Sequence, residues 1–337
     1  MAGLTQEPLV TSSEAPGEGP DARPAGEVAG RSPMRIAFDR LRKDKLAVVC
    51  FIIVLFFALV AIFAGVIANF FGVSLEAVRA SERVDLTTGL PLEGPPNHGF
   101  DPDHPFGVAP KSGNDLLAYW LYGARTSIVI GTIAVVVSTF IGVLLGLVAG
   151  FVGGVADRII QFFTDVFLTL PFLLMALAIA PILSERFGDN PEVYERASFY
   201  SVIGILSFFT WMQTARIIRG EVLSLREREF VQAARVLGVP THRILSREIL
   251  PNLVAPIVVV ISLGLPVFIA FEALLAFLGI GVTGRPSWGQ TINAAIPYFE
   301  NYPLYLWEPV LGIVLLVVAL NLLGDAVRDA LDPKTRR

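Results

Sequence analysis

Residues 46–75 read LAVVCFIIVLFFALVAIFAGVIANFFGVSL, a run without one charged side chain. A helix rises about 1.5 Å per residue and needs about 20 apolar residues to cross the hydrocarbon core of a bilayer. The run therefore predicts a membrane-spanning helix. A secretory signal would carry an apolar core of roughly 7–15 residues and a small-residue cleavage site. This run is longer and starts only after a basic cluster of Arg35, Arg40, Arg42, Lys43 and Lys45, so a retained span is expected. Working outward, five further segments meet or approach the requirement. Segment 126–156 is uncharged, 159–183 holds only Asp165, and 197–215 is uncharged. Segment 253–277 holds only Glu272, and 304–324 only Glu308. The fold class expected is an all-α membrane protein with six transmembrane helices and both termini on one side.

Composition agrees. Of 337 residues, 54% are hydrophobic and 17% charged, against about 25% charged in soluble domains. The 30 glycines and 24 phenylalanines suit helices packed in lipid. A net charge of −4 argues against a nucleic-acid partner, which calls for a basic excess. Cys50 is the single cysteine, so no internal disulfide forms, and His98, His104 and His242 are too scattered to make a metal site.

Charge along the chain orders the rest. With the amino terminus inside, the basic residues left outside are Arg79, Arg83, Lys111, Arg125, Arg186, Arg196 and Arg285, out of 26. Positive-inside bias then predicts cytoplasmic termini. Residues 1–33 are rich in Pro, Gly, Ala and Ser and are expected as a disordered cytoplasmic tail. The region 34–71 carries the first span, and 72–124 forms an extracytoplasmic segment. Residues 125–325 make a five-helix core including the element 216–250, and 326–337 end the chain as a cytoplasmic tail. The stretch Asn114–Arg125, with Tyr119, Trp120 and Tyr122, is expected as an amphipathic helix in the membrane interface, where such rings concentrate. Residues 283–303 form a second outer loop.

The inner loop 216–248 reads RIIRGEVLSLREREFVQAARVLGVPTHRILSRE. Phe230, Ala233, Ala234 and Leu237 follow helical spacing and make one apolar face. Gly238 and Pro240 supply a helix stop, and Thr241 is the expected cap of a second helix running to Pro251. Small residues at the centre of the face let a backbone approach a partner closely. Two readings stand: a helix hairpin packed on the membrane, or a rigid docking element for a cytoplasmic partner.

Gln232-Ala233-Ala234, then Gly238, then Leu250-Pro251 resemble the "EAA" signature of permease subunits of ATP-binding-cassette importers. Gln232 stands where the family usually has Glu, and Glu248 where it usually has an apolar residue. Further blocks are similar to the "C"-type subunit of the dipeptide/oligopeptide branch. They are His104-Pro105-Phe106-Gly107, Gly123-Ala124-Arg125 and Phe277-Leu278-Gly279-Ile280-Gly281-Val282. Pro286-Ser287-Trp288-Gly289, Asn321-Leu322-Leu323-Gly324-Asp325 and Arg328-Asp329-Ala330-Leu331-Asp332-Pro333 complete them. The resemblance covers roughly 35–333, with 72–103 longer than usual for the branch.

The resemblance implies the type I ABC importer permease fold in a prokaryotic inner membrane. It implies a second, homologous permease, two ATP-binding subunits and an extracytoplasmic solute-binding protein as partners. ATP and Mg would be held by the partner subunits, with no cofactor in this chain. Di- or oligopeptides are the implied substrates, with nickel, haem or another small solute as the alternative. Gln232, Ala233, Ala234, Arg235 and Gly238 would couple to the ATPases. Pro286, Ser287 and Trp288 would meet the binding protein.

Asp165 and Glu272 are ionisable groups inside spans, where charge costs about 2.5–3.5 kcal/mol on insertion scales. They are read either as lining the translocation path or its gates, or as structural hydrogen-bonding groups. Pro171, Pro181, Pro256 and Pro266 are expected to kink their spans. Gly142, Gly146 and Gly150 recur every four residues and predict a close-approach face, turned to a partner subunit. Lys111-Ser112 follows Pro110 and makes no phosphate loop. No nucleophile–base pattern emerges, so the chain is not expected to be an enzyme. A stand-alone proton-coupled transporter using Asp165 or Glu272 is the less favoured alternative, because the spans show no internal duplication of the kind common there.

Overall fold

A computed structural model describes residues 33–75 and 80–331. The expected tail 1–33, all but its last residue, and the final six residues lie outside the described residues. Helix α1 (Pro33–Lys43) leads into α2 (Lys45–Phe70), and α3 (Ala80–Arg83) is a short turn of helix. The long α4 (Leu116–Val152) is followed by α5 (Gly154–Thr169), α6 (Phe172–Phe187), α7 (Pro191–Phe208) and α8 (Trp211–Arg226). Then come α9 (Glu229–Val236), α10 (Thr241–Ile244), α11 (Val254–Phe277), α12 (Trp288–Ala295) and α13 (Pro303–Leu331). Among the described residues, β pairing is limited to two isolated bridges, Val84–Pro91 and Val108–Asp115.

Five helical runs are long and apolar enough to cross a membrane, and a sixth results if α5 and α6 count as one. The six expected spans thus have counterparts, but the third is broken by an 82° bend. Leu170 adopts an extended conformation (φ −77°, ψ 124°), as a residue before proline must when the ring excludes the helical region. Pro171 thereby breaks its span. By contrast, the helix runs on through Pro181 and Pro266, and Pro256 lies near the start of α11, inside the helical run 241–277.

The expected interfacial helix at 114–125 does not exist as a separate element. Its residues are the opening turns of α4, which at 37 residues is about 55 Å long and outreaches the hydrocarbon core. The Asp115 carboxylate starts the helix by accepting from the Ala118 N–H at 2.8 Å. Its other oxygen meets His104 Nδ1 at 2.6 Å. Ala118 and Ala124 are fully buried, and the Trp120 indole N–H donates to the Glu308 carbonyl at 3.1 Å. Packing against α13 and α12 therefore outweighs the interfacial preference of the aromatic rings.

The glycine stripe of α4 faces inward, onto α8 of the same chain, which corrects the expectation of a partner subunit. A Cβ added at Gly142 would lie 2.6 Å from Thr214 Cβ. One at Gly146 would lie 2.7 Å from the Ala215 carbonyl oxygen, and one at Gly150 2.8 Å from Val222 Cβ. Lipid offers no hydrophobic drive to bring helices together, so close backbone approach supplies the contact. Around α4 the core divides into packed clusters. One joins α2, α4, α11, α12 and α13 through Phe57, Leu121, Ile269, Trp288 and Leu316. Another joins the far end of α4 to α8 and α9 through Leu147, Ile218, Val222 and Val231.

Replacing Gly146 by leucine should force α4 and α8 apart and destabilise the folded protein by about 2–3 kcal/mol. Thermal unfolding of the purified protein in detergent checks this. Gly220, whose Cβ would meet nothing within 4 Å, should accept alanine with little change.

Candidate functional site

The stop Gly238-Val239-Pro240 forms a complete helix terminator. Gly238 takes a left-handed backbone (φ +72°), its N–H donates to Arg235 O at 3.0 Å, and the Val239 N–H donates to Ala234 O at 3.0 Å. These two bonds satisfy carbonyls that the end of α9 leaves free. The chain then turns through Pro240 into α10. Thr241 is the first residue of α10 rather than its cap, since Pro240 holds the capping position and no side chain bonds there.

The expected second helix ending at Pro251 is also revised. A π turn over Leu245–Ile249 and a 3₁₀ turn over Leu250–Leu253 lead from α10 into α11. Pro251 has no N–H to offer the ordinary ladder. The Leu250 N–H instead reaches back five residues to Leu245 O. Thr241–Phe277 is consequently one continuous helical run of 37 residues.

The two sides of α9 differ in destination. Val231 is fully buried and Ala234 packs beside it, against a core that includes Phe151, Val222, Ile244, Ile249 and Leu253. The Arg235 guanidinium lies 4.9 Å from the Phe151 ring centroid. Phe230 and Ala233 face outward, with Val236 (87% exposed) and Leu237 (81% exposed). Of the apolar face expected from spacing, Ala234 therefore turns in while the other three turn out. Gln232 is exposed and its amide N–H donates to the Arg226 carbonyl at 3.1 Å, fastening α9 to the end of α8. That role needs a donor, which an ionised Glu lacks.

Ion pairs that sequence reading did not find tie the same end together. Arg219 of α8 holds Asp157 of α5 through two bonds of 2.6 Å, the fork geometry that makes arginine–carboxylate pairs specific. No local pattern signals a pairing across 62 positions. Arg226 also donates to Gly150 O at 3.3 Å. Asp165 is paired with Arg216 and is 63% exposed on its side chain.

A cavity of about 1450 Å³ opens along α4, the α5–α6 break, α8 and α11. Its wall is mostly apolar, with Phe167, Phe172, Phe209 and Phe271 beside Thr139 and Gln213. Arg40, Glu221, Asn252 and Arg328 border one mouth, so α1, the end of α8, the start of α11 and the end of α13 share one end of the bundle. Neither Asp165 nor Glu272 borders this cavity. Glu272 is 1% exposed, enclosed where α11 meets α4 and α12.

At the opposite end, Ser287 and Trp288 are fully buried. This takes both out of direct contact with any outside partner and leaves Pro286 half-exposed among the exposed Thr283, Gly284 and Arg285. Trp288 is instead a packing centre. Its indole N–H donates to Trp120 O at 3.0 Å, its ring lies 5.7 Å from Trp120 and 5.8 Å from Phe57, and Gly123 and Gly312 make room for it. Ser287 caps α12, accepting from the Gln290 N–H at 3.4 Å. Tyr302, just before α13, fastens the 80–115 segment over this end: its hydroxyl donates to Phe106 O at 3.3 Å, and burial pushes its ionisation above the usual tyrosine range.

Residues 142–337 match the family model described as the binding-protein-dependent transport system inner membrane component. The chain belongs to that family. Residues 32–74 match the model described as the N-terminal TM domain of oligopeptide transport permease C. The permease is 34% identical to the dipeptide transport system permease protein DppC of Alkalihalophilus pseudofirmus, over 93% of this chain and 94% of that protein. It is 34% identical to the oligopeptide transport system permease protein OppC of Escherichia coli K12, over 92% and 94% of the two chains. A solved structure of the MetNI methionine ABC transporter, titled as inward facing, shares the fold. It aligns with a TM-score of 0.51 at 17% identity, covering 64% of this chain and 96% of that one. The permease thus has the helical architecture of a type I importer subunit.

Gly238→Val should strain the terminator and displace α10. Limited proteolysis around Arg235 and Arg243 is expected to speed up several-fold, while membrane insertion is unchanged.

Proposed function

We propose that the permease supplies half of a translocation path for di- or oligopeptides, driven by ATP hydrolysis on two partner subunits. The observation that carries this reading is α9, whose buried side is anchored in the shared α4–α8 core and whose outward side is apolar and exposed. Such a knob suits a docking groove on another chain, because burying Phe230, Val236 and Leu237 there removes apolar surface from water. Gln232, Ala233, Arg235 and Gly238 share the exposed surface around it.

The peptide assignment draws on the relatives named for dipeptide and oligopeptide transport. The cavity bordered by α4, α8 and α11 would be this chain's share of the path, completed by a second, homologous permease. Its largely uncharged wall suits cargo of varied side chains. A solute-binding protein would deliver peptide at the end formed by α12 and the 80–115 segment. ATP and Mg would bind on the partner subunits and be felt here only as motion of α9. The bundle end that gathers α9, α1 and the close of α13 also carries most of the basic residues. Positive-inside bias supports a cytoplasmic position for that end, and the bacterial relatives support a prokaryotic inner membrane.

On this reading Asp165 and Glu272 act on the path indirectly. Asp165 with Arg216, and Asp157 with Arg219, would make α5 follow α8 when α9 is pushed. Exposed pairs are worth little in themselves, about 0–1 kcal/mol, so the half-buried Asp157–Arg219 fork is the stronger link.

Leu237→Asp tests docking without disturbing the permease's own core. In liposomes holding the whole transporter, ATP-driven peptide uptake is expected to fall at least tenfold with normal permease content. Ala234→Glu, which puts a carboxylate into the core beneath α9, should instead loosen α9 itself and lower permease content as well as uptake. Unchanged uptake in Leu237→Asp would remove α9 from the docking role. Uptake unaffected by competing dipeptides and tripeptides would remove the peptide assignment.

A further inference from the structure

Three buried polar atoms at the outer end of α11 have no hydrogen-bond partner among the described residues: both carboxylate oxygens of Glu272 and the hydroxyl of Ser127. Glu272 lies near the end of α11, Ser127 on α4, and both are enclosed. The polar groups that face the carboxylate are the hydroxyls of Ser127 and of Ser287, the capping residue of α12.

The start of α12 sits directly on this part of α11. A Cβ on Gly289 would lie 2.1 Å from the Ala273 carbonyl oxygen, adjacent in sequence to Glu272. Asn293 donates to Phe277 O at 2.7 Å and Gln290 to Val282 O at 2.8 Å, so α12 is laid back along the end of α11. The first N–H groups of a helix lack acceptors and carry partial positive charge, which favours an anionic group there. A carboxylate removed from water is costly unless such compensation is present, and α12 and the two hydroxyls are the compensation this pocket offers.

We propose that Glu272 is a positioning residue that locks α12 to α11, so that the outer helix moves with the rod that rises from the coupling element. The rod is the continuous run Thr241–Phe277. Its lower part, Ile244, Ile249 and Leu253, is embedded with Val231 of α9, and Glu272 lies about 35 Å above Ile249 at 1.5 Å per residue. A displacement of α9 would reach α12 through this one element. Conversely, a partner resting on the loops around α12 would be sensed at α9. The inference rests on the transport reading above and assigns the residue that joins its two ends.

The test uses the complete transporter in lipid nanodiscs, with Glu272→Met, Glu272→Gln and Ser127→Ala. The readout is stimulation of ATP hydrolysis by peptide-loaded binding protein, relative to basal hydrolysis. Glu272→Met should leave basal hydrolysis intact and cut stimulation at least tenfold. Glu272→Gln, which keeps an oxygen acceptor toward α12, should retain at least half. Ser127→Ala, a small change in volume, should cut stimulation about threefold. Full stimulation in Glu272→Met overturns the proposal. Unchanged stimulation in Ser127→Ala overturns it even where the methionine variant does not assemble.

A second readout needs no transport. With Cys50 replaced by serine, a spin label at Ala294 on the exposed side of α12 should be immobile in the parent and in Glu272→Gln, and mobile in Glu272→Met. Equal mobility in all three overturns the lock. An unsubstituted complex that shows no stimulation speaks against the transport reading instead, and leaves the label result standing.

Discussion

The close approach of α4 to α8 governs the arrangement. Because lipid tails are as apolar as the side chains they meet, helix association in a bilayer has to come from fit. Gly142, Gly146 and Gly150 provide that fit by letting the α8 backbone and Val222 come within ordinary van der Waals distance of the α4 main chain. With α8 held there, Ile218 and Val222 are presented as a platform together with Leu147 and Phe151. Val231, Ile244 and Ile249 complete the cluster. The short α9 has only 8 residues, too few to be stable alone in water. Its order comes from this platform.

The same α4 meets α11 on another side, where Gly131 admits Ile269. It thereby stands between the two elements that border the cavity. The breaks at Leu170-Pro171 and at Phe209-Thr210 fall at the cavity wall, where Phe167, Phe208, Phe209 and Phe172 touch in succession. The cavity thus has an unbroken helix, α4, on one side and broken helices on the other. A path that opens and closes needs such asymmetry, since packed cores switch between arrangements more readily than they stretch.

The buried Trp288 has the corresponding part at the other end. It gathers α2, α4, α12 and α13 through ring contacts with Phe57 and Trp120 and through room left at Gly123 and Gly312. A loop that would otherwise hang free at the membrane surface becomes part of the bundle. Its exposed positions, Thr283 to Arg285, are then held in a defined place by the Arg285–Glu195 pair at 2.7 Å.

Chain-local physics settled much of this. Hydropathy is a sum over neighbours along the chain, so the spans at 46–75, 126–156, 253–277 and 304–324 were legible without coordinates. So was the helix stop at Gly238, where a left-handed turn followed by proline leaves few alternatives. Proline also foretold a break, though not that Pro171 would cause it while Pro181 and Pro266 would be absorbed. That choice depends on what neighbouring helices supply. Facing is a long-range property. Spacing put Phe230, Ala233, Ala234 and Leu237 on one face, but only the platform on α4 and α8 turned Ala234 inward and left Leu237 in the open. Trp288 and Ser287 were expected at a binding-protein contact because the family resemblance put them in an outer loop, whereas contacts such as the Trp288–Trp120 bond, 168 positions apart, bury Trp288. The extent of α4, the target of its glycines and the enclosure of Glu272 were likewise decided by tertiary packing, because each is fixed by atoms distant in the chain.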